Sequence, residues 1–197
     1  MFNNGVTSLD LDAIKRAFRE TPLNEHNNSH HSLSIYDHME VARLKATLRT
    51  NDIRCLIAAE YHDIGKYFIS SDLLNKRGSL NNIERMVINS HSYLSYKTLK
   101  LFDVDDDICL ISLFHHTFAP QMFYDEDKNE ITTIDTRVAR LSRAIKTIDI
   151  YEALTTDRPY HRGVSSDNSI KIIEDTIPDS DTEVLRIIKK HEHDFEE

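Results

Sequence analysis

Glycine is almost missing from this chain. Four occur in 197 residues (Gly5, Gly65, Gly78 and Gly163), and none lies between positions 79 and 162. Backbone conformations that only glycine adopts freely are therefore available at few places. A Rossmann fingerprint and a P-loop both need clustered glycines, so both are excluded. The sequence offers long stretches with apolar residues at helical spacing, and almost no run that alternates with a period of two. Leu9, Leu11, Ile14 and Phe18 recur behind Ser8, and Met39, Val41, Ala42 and Leu44 recur between Ile35 and Arg49. Asn51 or Asp52 can cap a helix running through Ile57 and Ala59 to His62, with Gly65 ending it. One helix is expected from Ser79 or Asn81 to near Phe102, and another from the acids Asp105 to Asp107 to near His116. A long one spans Ile134 to Thr155, carrying Val138, Leu141, Ile145, Ile148 and Leu154. Ser166–Ile177 and Asp181–His191 read as shorter final helices, and 117–134 as a loop. The spacing predicts an all-α domain.

Hydrophobic residues make up 40% of the chain, enough for one core, and the net charge is −9. That balance argues against a sequence-blind nucleic-acid binder, which needs cations for the phosphates. The opening MFNNGVTSLD has no apolar h-region, so no signal peptide is expected. No apolar stretch is long enough to span a bilayer, so no membrane partner is expected. Cys55 and Cys109 sit far apart in apolar runs; they read as buried thiols of a reducing, cytoplasmic compartment.

Histidine is in excess, with eleven residues. His26, His30 and His31 fall in a polar N-terminal stretch, and His191 and His193 in an acidic tail; these read as solvated. Five of the other six form a pattern with carboxylates: His38, the pair His62-Asp63, His91, the pair His115-His116, and Asp149. Each falls on or at the end of an expected helix, within apolar sequence that should face a core. One core histidine is ordinarily just hydrogen-bonded, and a lone His-Asp dipeptide means little. Five such points in one helical chain need a common explanation, because a buried carboxylate without a compensating charge is costly. Imidazoles and carboxylates converging in an apolar bundle suit manganese, iron or zinc. Adjacent His115 and His116 diverge by about 100° on a helix, so both can face one ion only at a helix end or bend.

The order His … His-Asp … His … His-His … Asp resembles the HD superfamily of metal-dependent phosphohydrolases. His62-Asp63-Ile64-Gly65-Lys66 resembles the HDIGK core of its HD-GYP subfamily. The stretch from Asp149 through Thr156-Asp157-Arg158-Pro159-Tyr160, and SLNNIERMVINSH before His91, are similar to two further segments of that subfamily. The resemblance covers about residues 35–175. It implies an HD-domain helical bundle over 35–177, behind an N-terminal helix and polar loop (1–34) and ahead of a C-terminal helix and acidic tail (178–197). The implied activity is hydrolysis of a cyclic dinucleotide, cyclic di-GMP or mixed cyclic GMP–AMP. Three features depart from the subfamily pattern. Ser34 stands where a three-metal subgroup carries Glu, which implies two ions. The Gly-Tyr-Pro loop is absent after His115-His116, where Thr117 replaces the usual acid and Pro120 and Tyr124 occur in another arrangement. The position after Arg-Pro-Tyr, usually basic, is His161, with Arg162 next.

The resemblance implies that His38, His62, Asp63 and Asp149 hold one divalent ion and that Asp63 bridges to a second held by His91, His115 and His116. Iron or manganese is expected, with zinc, nickel or magnesium as alternatives. Two ions about 3.5–4 Å apart can hold a hydroxide at neutral pH for attack on phosphorus. Lys66 and Arg158 are the expected phosphate contacts, and His161 a further substrate-binding candidate. Asp63 and Lys66 are the expected catalytic residues. Three other readings stand beside this one: an inactive metal-bearing module that binds a cyclic dinucleotide or a partner, a single-stranded DNA nuclease, and a di-iron oxygenase. With about 37 residues ahead of His38, no attached sensor domain is expected. The helix around Ile14 and Phe18 would cover the bundle or form a homodimer contact.

Overall fold

A computed structural model of the chain describes residues 54–117, 122–126, 128–157 and 162–193. His38, Arg158 and His161, and the helices expected over Leu9–Arg19 and Ile35–Arg49, lie outside the described residues. Helix α1 (Arg54–Tyr61) leads into a 3-10 turn (Ile64–Phe68), and a short α2 (Ser71–Leu74) follows. Then come α3 (Asn82–Asn89), α4 (His91–Leu101) and α5 (Asp106–Phe114). A two-stranded antiparallel hairpin, β1 (Met122–Asp125) with β2 (Glu130–Thr133), separates these from α6 (Thr136–Thr155), α7 (Ser166–Thr176) and α8 (Thr182–His193). The helical fold expected from the sequence is therefore present. No described helix is long and apolar enough to cross a membrane.

The helix starts follow capping chemistry. Asn81 and Glu84 form a reciprocal capping box: the Asn81 side chain accepts from the Glu84 amide at 2.9 Å, and the Glu84 carboxylate accepts from the Asn81 amide at 2.8 Å. Asp105 and Asp135 accept from the amides two residues on, at 2.9 and 2.7 Å, and so start α5 and α6. One contiguous core fills the interior. Ile108 and Ile111 of α5, Ile145 and Ile148 of α6, Ile173 of α7, and Leu185 and Ile188 of α8 are among its largest fully buried side chains. The apolar positions Val138, Leu141, Ile145 and Ile148, four of those marked out on the long helix, lie in this core. Cys109 is buried there too; burial pushes its thiol up to about 12, so it stays protonated and inert.

Three local expectations need correcting. Gly65 does not cap α1; it lies inside the 3-10 turn, where it makes a close backbone contact described below. The helix expected from Asn81 to Phe102 is broken at Ser90. There the side chains of Ser90, His91 and Ser92 take the carbonyls of Val87, Ile88 and Asn89 at 2.7, 2.6 and 3.1 Å. Side chains that bond the backbone three residues back compete with the helical ladder, and three in a row end it. The loop expected over 117–134 contains the hairpin. Its strands are four residues each, too short to show a period-two signature, and its turn carries Asn129 in the left-handed region at φ 53°. Phe123 fixes the hairpin to the bundle by packing edge-on against Phe114, with ring centroids 5.8 Å apart.

Candidate metal centre

Three helix ends meet at one point. α1 stops at Tyr61 and delivers His62-Asp63; α4 begins at His91; α5 stops at Phe114 and delivers His115-His116. The helix end resolves the angular problem of the His pair: both rings turn to the same side, with centroids 3.9 Å apart. One ligand-type atom each from Asp63, His91, His115 and His116 lies within 4.8 Å of the others.

Local hydrogen bonds fix what these rings present. His62 Nδ1 lies 2.8 Å from the Ala59 carbonyl, His91 Nδ1 2.6 Å from Ile88, and His115 Nδ1 2.6 Å from Ser112. A carbonyl only accepts, so each Nδ1 carries a proton, and Nε2 is the nitrogen that each ring turns inward. His91 Nε2 then lies 3.3 Å from His115 Nε2, 3.0 Å from Asp63 Oδ1 and 2.9 Å from His116 Nε2. Even with His116 donating its proton, the His115 nitrogen and the Asp63 oxygen still aim lone pairs at His91. Acceptors so close in a buried site repel one another unless a cation stands among them. The donor set, imidazole nitrogens with a carboxylate and outer carbonyl bonds that fix the tautomer, fits a divalent transition metal.

The electrostatics agree with that composition. Burial pushes the His115 ring down to about 4. Burial, with His115 beside it, pushes His116 down to about 2. Both rings are therefore neutral, the form that ligates. Burial works against charge on Asp63 as well, yet Lys66 and His62 beside it hold its carboxyl well below the usual range. For His62, burial favours the neutral ring, but the neighbouring Asp63 carboxylate outweighs it and raises its proton affinity. The site thus carries a buried anion beside the neutral rings of His115 and His116.

The other expected residues take the following places. His62 stands at the edge of the cluster, with Nε2 3.5 Å from Asp63 Oδ2 and its ring centroid 4.8 Å from that of His115. Asp149 reaches in from α6, with Oδ2 3.8 Å from His116 Nδ1. Lys66 folds back to pair with Asp63 Oδ2, so its ammonium meets the cluster's carboxylate before it meets any ligand. His38 lies outside the described residues. Sequence reasoning missed Ser95, which binds the backbone at Gly65, and Tyr93, which donates to Glu126 of the hairpin turn at 2.9 Å. The spacing of Ser95 behind His91, one helical turn, is the only trace of the first that the sequence carries.

A helical bundle that closes over a His/Asp cluster defines a class. Residues 28–154 match the HD domain family, and the chain belongs to it. Among its relatives, the chain is 26% identical over 151 residues to the 3'3'-cGAMP-specific phosphodiesterase 3 of Vibrio cholerae serotype O1, a match covering 76% of this chain and 32% of that one. It is also 26% identical over 138 residues to the cyclic di-GMP phosphodiesterase PA4108 of Pseudomonas aeruginosa, covering 68% and 31%. The chain thus spans about a third of the length of the curated relatives it matches. In fold it resembles the HD domain of the L. monocytogenes phosphodiesterase PgpH, with a TM-score of 0.59 at 18% identity, over 90% of this chain and 93% of that one. A second structure of that domain, in complex with cyclic-di-AMP, superposes with a TM-score of 0.58 at 18% identity over 95% of each chain.

Proposed function

We propose that this chain is a metal-dependent phosphodiesterase of HD-GYP type that hydrolyses a cyclic dinucleotide, acting in the cytoplasm. The observation that carries the reading is the convergence of ligand atoms from Asp63, His91, His115 and His116, the first three buried, which suits a cation. The relatives' named substrates, 3'3'-cGAMP and cyclic di-GMP, support the substrate class. Two divalent ions, iron or manganese, would be held by two ligand sets that share Asp63. His38, His62 and Asp149 complete one set; His91, His115 and His116 complete the other. When bound, such ions supply positive charge for the phosphate oxygens and make water a nucleophile at neutral pH.

The chain's own groups do the rest. Asp63 holds its carboxylate charged, with Oδ1 toward His91 and Oδ2 toward His62 and Lys66. The Nδ1 protons on Ala59, Ile88 and Ser112 stop the rings from turning. The Lys66 side chain is 19% exposed, so its tip can reach a phosphate at the mouth of the site. With Arg158 it would bind the non-bridging oxygens, the guanidinium in a fork. His161 would contact the substrate beyond them.

The test is anaerobic purification with metal analysis, then incubation with cyclic di-GMP, 3'3'-cGAMP, cyclic-di-AMP and single-stranded DNA. The expected result is about two ions per chain and a linear dinucleotide or mononucleotide product from at least one cyclic dinucleotide. A fully loaded protein that leaves all three intact would overturn the reading. Cleavage of the DNA alone, or oxygen uptake, would move it to another HD chemistry.

A further inference from the structure

We infer that Ser95 is a positioning residue for this metal centre: its hydroxyl sets how closely the turn that carries Asp63 seats on the helix that carries His91. The inference rests on the proposed metal reading and goes beyond it to a residue outside the ligand set.

The contact is built from backbone. The 3-10 turn lies across the first turn of α4 with Gly65 as the touching point. A Cβ at Gly65 would stand 2.1 Å from the His91 carbonyl oxygen and 2.6 Å from the Ser95 amide nitrogen. No side chain fits there, so the two backbones meet directly. The approach leaves the Gly65 amide facing α4, whose carbonyls are engaged in the helical ladder. Ser95 supplies the missing acceptor: the Gly65 N–H donates to Ser95 Oγ at 2.8 Å, and the Ser95 side chain is completely buried.

The bond lies close to the centre on both of its sides. Gly65 is two residues from Asp63, and Ser95 is one turn from His91 on α4. Asp63 Oδ1 and His91 Nε2 lie 3.0 Å apart across the same contact. Removing the hydroxyl leaves a buried N–H with no acceptor. The turn can then recover a partner only by lifting off α4 or admitting water, and either movement pulls Asp63 away from His91. A metal centre that draws ligands from both pieces registers that displacement directly.

The experiment is Mn2+ binding to the full chain, stripped of metal and followed by loss of the free-ion EPR signal, with thermal unfolding of the metal-free protein measured in parallel. Ser95→Ala should weaken Mn2+ binding by on the order of 10- to 100-fold, the range for outer groups that orient ligands. Ser169→Ala, which removes an equally buried hydroxyl on α7 bonded to the Ser165 carbonyl, should leave Mn2+ binding unchanged while lowering the melting temperature. Ser95→Cys keeps a weaker acceptor of similar size and should fall between parent and alanine variant. Should Ser95→Ala fail to fold, the Cys variant decides alone. Parental Mn2+ affinity in Ser95→Ala or, failing that, in Ser95→Cys overturns the role of Ser95. Absence of Mn2+ binding by the parent chain overturns the metal reading itself, so the two failures are distinct.

Discussion

The two ends of this bundle are built on opposite principles. Where α7 and α8 pack on α6, the interior is Ile145, Ile148, Ile173, Leu185 and Ile188, and the charges stay outside in pairs such as Lys146–Asp179 and Arg186–Glu183. Where α1 and α5 end and α4 begins, the interior is His62, Asp63, His91 and His115, all buried. The apolar end gains stability from every methylene it hides. The polar end hides groups that water would solvate better, and turns their lone pairs on one another. A chain of this length tolerates such a site because the other end is conventionally packed; the polar end is organised for binding at the expense of stability.

Three substitutions sharpen that contrast. The largest effect is expected from Asp63→Ala: metal loading and turnover should both fall to background, measured by metal analysis and nucleotide chromatography. Retained hydrolysis would remove Asp63 from its bridging role. At the opposite end, Leu185→Ala should destabilise the fold by about 2–5 kcal/mol, as buried leucine truncations do, while metal content per folded molecule stays parental. Denaturant unfolding with metal analysis would detect a failure of that separation. The smallest effect belongs to a surface pair. The Lys146 ammonium, 2.7 Å away, holds the Asp179 carboxyl below its ordinary value. A depressed carboxyl contributes stability above the unfolded-state value of 3.8 and loses it as pH falls through the lower folded value. Both groups are partly exposed, so Asp179→Asn should cost only about 0.2–1 kcal/mol at neutral pH. The difference from parent should vanish in strong acid; a pH-independent difference would show that charge is not its source.

Much of this molecule could be read from its sequence. The helices rest on apolar spacing and on Asn81 and Asp105 at their starts, all local signals. The ligand-type residues were legible because polar groups interrupt apolar runs. What could not be read lies in geometry. The break at Ser90 needs three successive side chains to compete with one ladder, although each residue alone is acceptable in a helix. The hairpin was hidden because Met122–Asp125 and Glu130–Thr133 are each one pleat too short for periodicity. Gly65 reads as a helix stop by type; only the approach of α4 shows that it serves as a gap for another backbone.

Helix α6 belongs to both ends at once. Its 20 residues make a rod of about 30 Å that carries Asp149 beside His116, sinks Ile145 and Ile148 into the apolar interior, and ties Tyr151 to Ser166 and Thr147 to the Asp181 amide. Among the described residues such a rod ties the two ends to one element. Fraying at the C-terminal end is expected to loosen the support under Asp149, and calorimetry should show one melting transition rather than two.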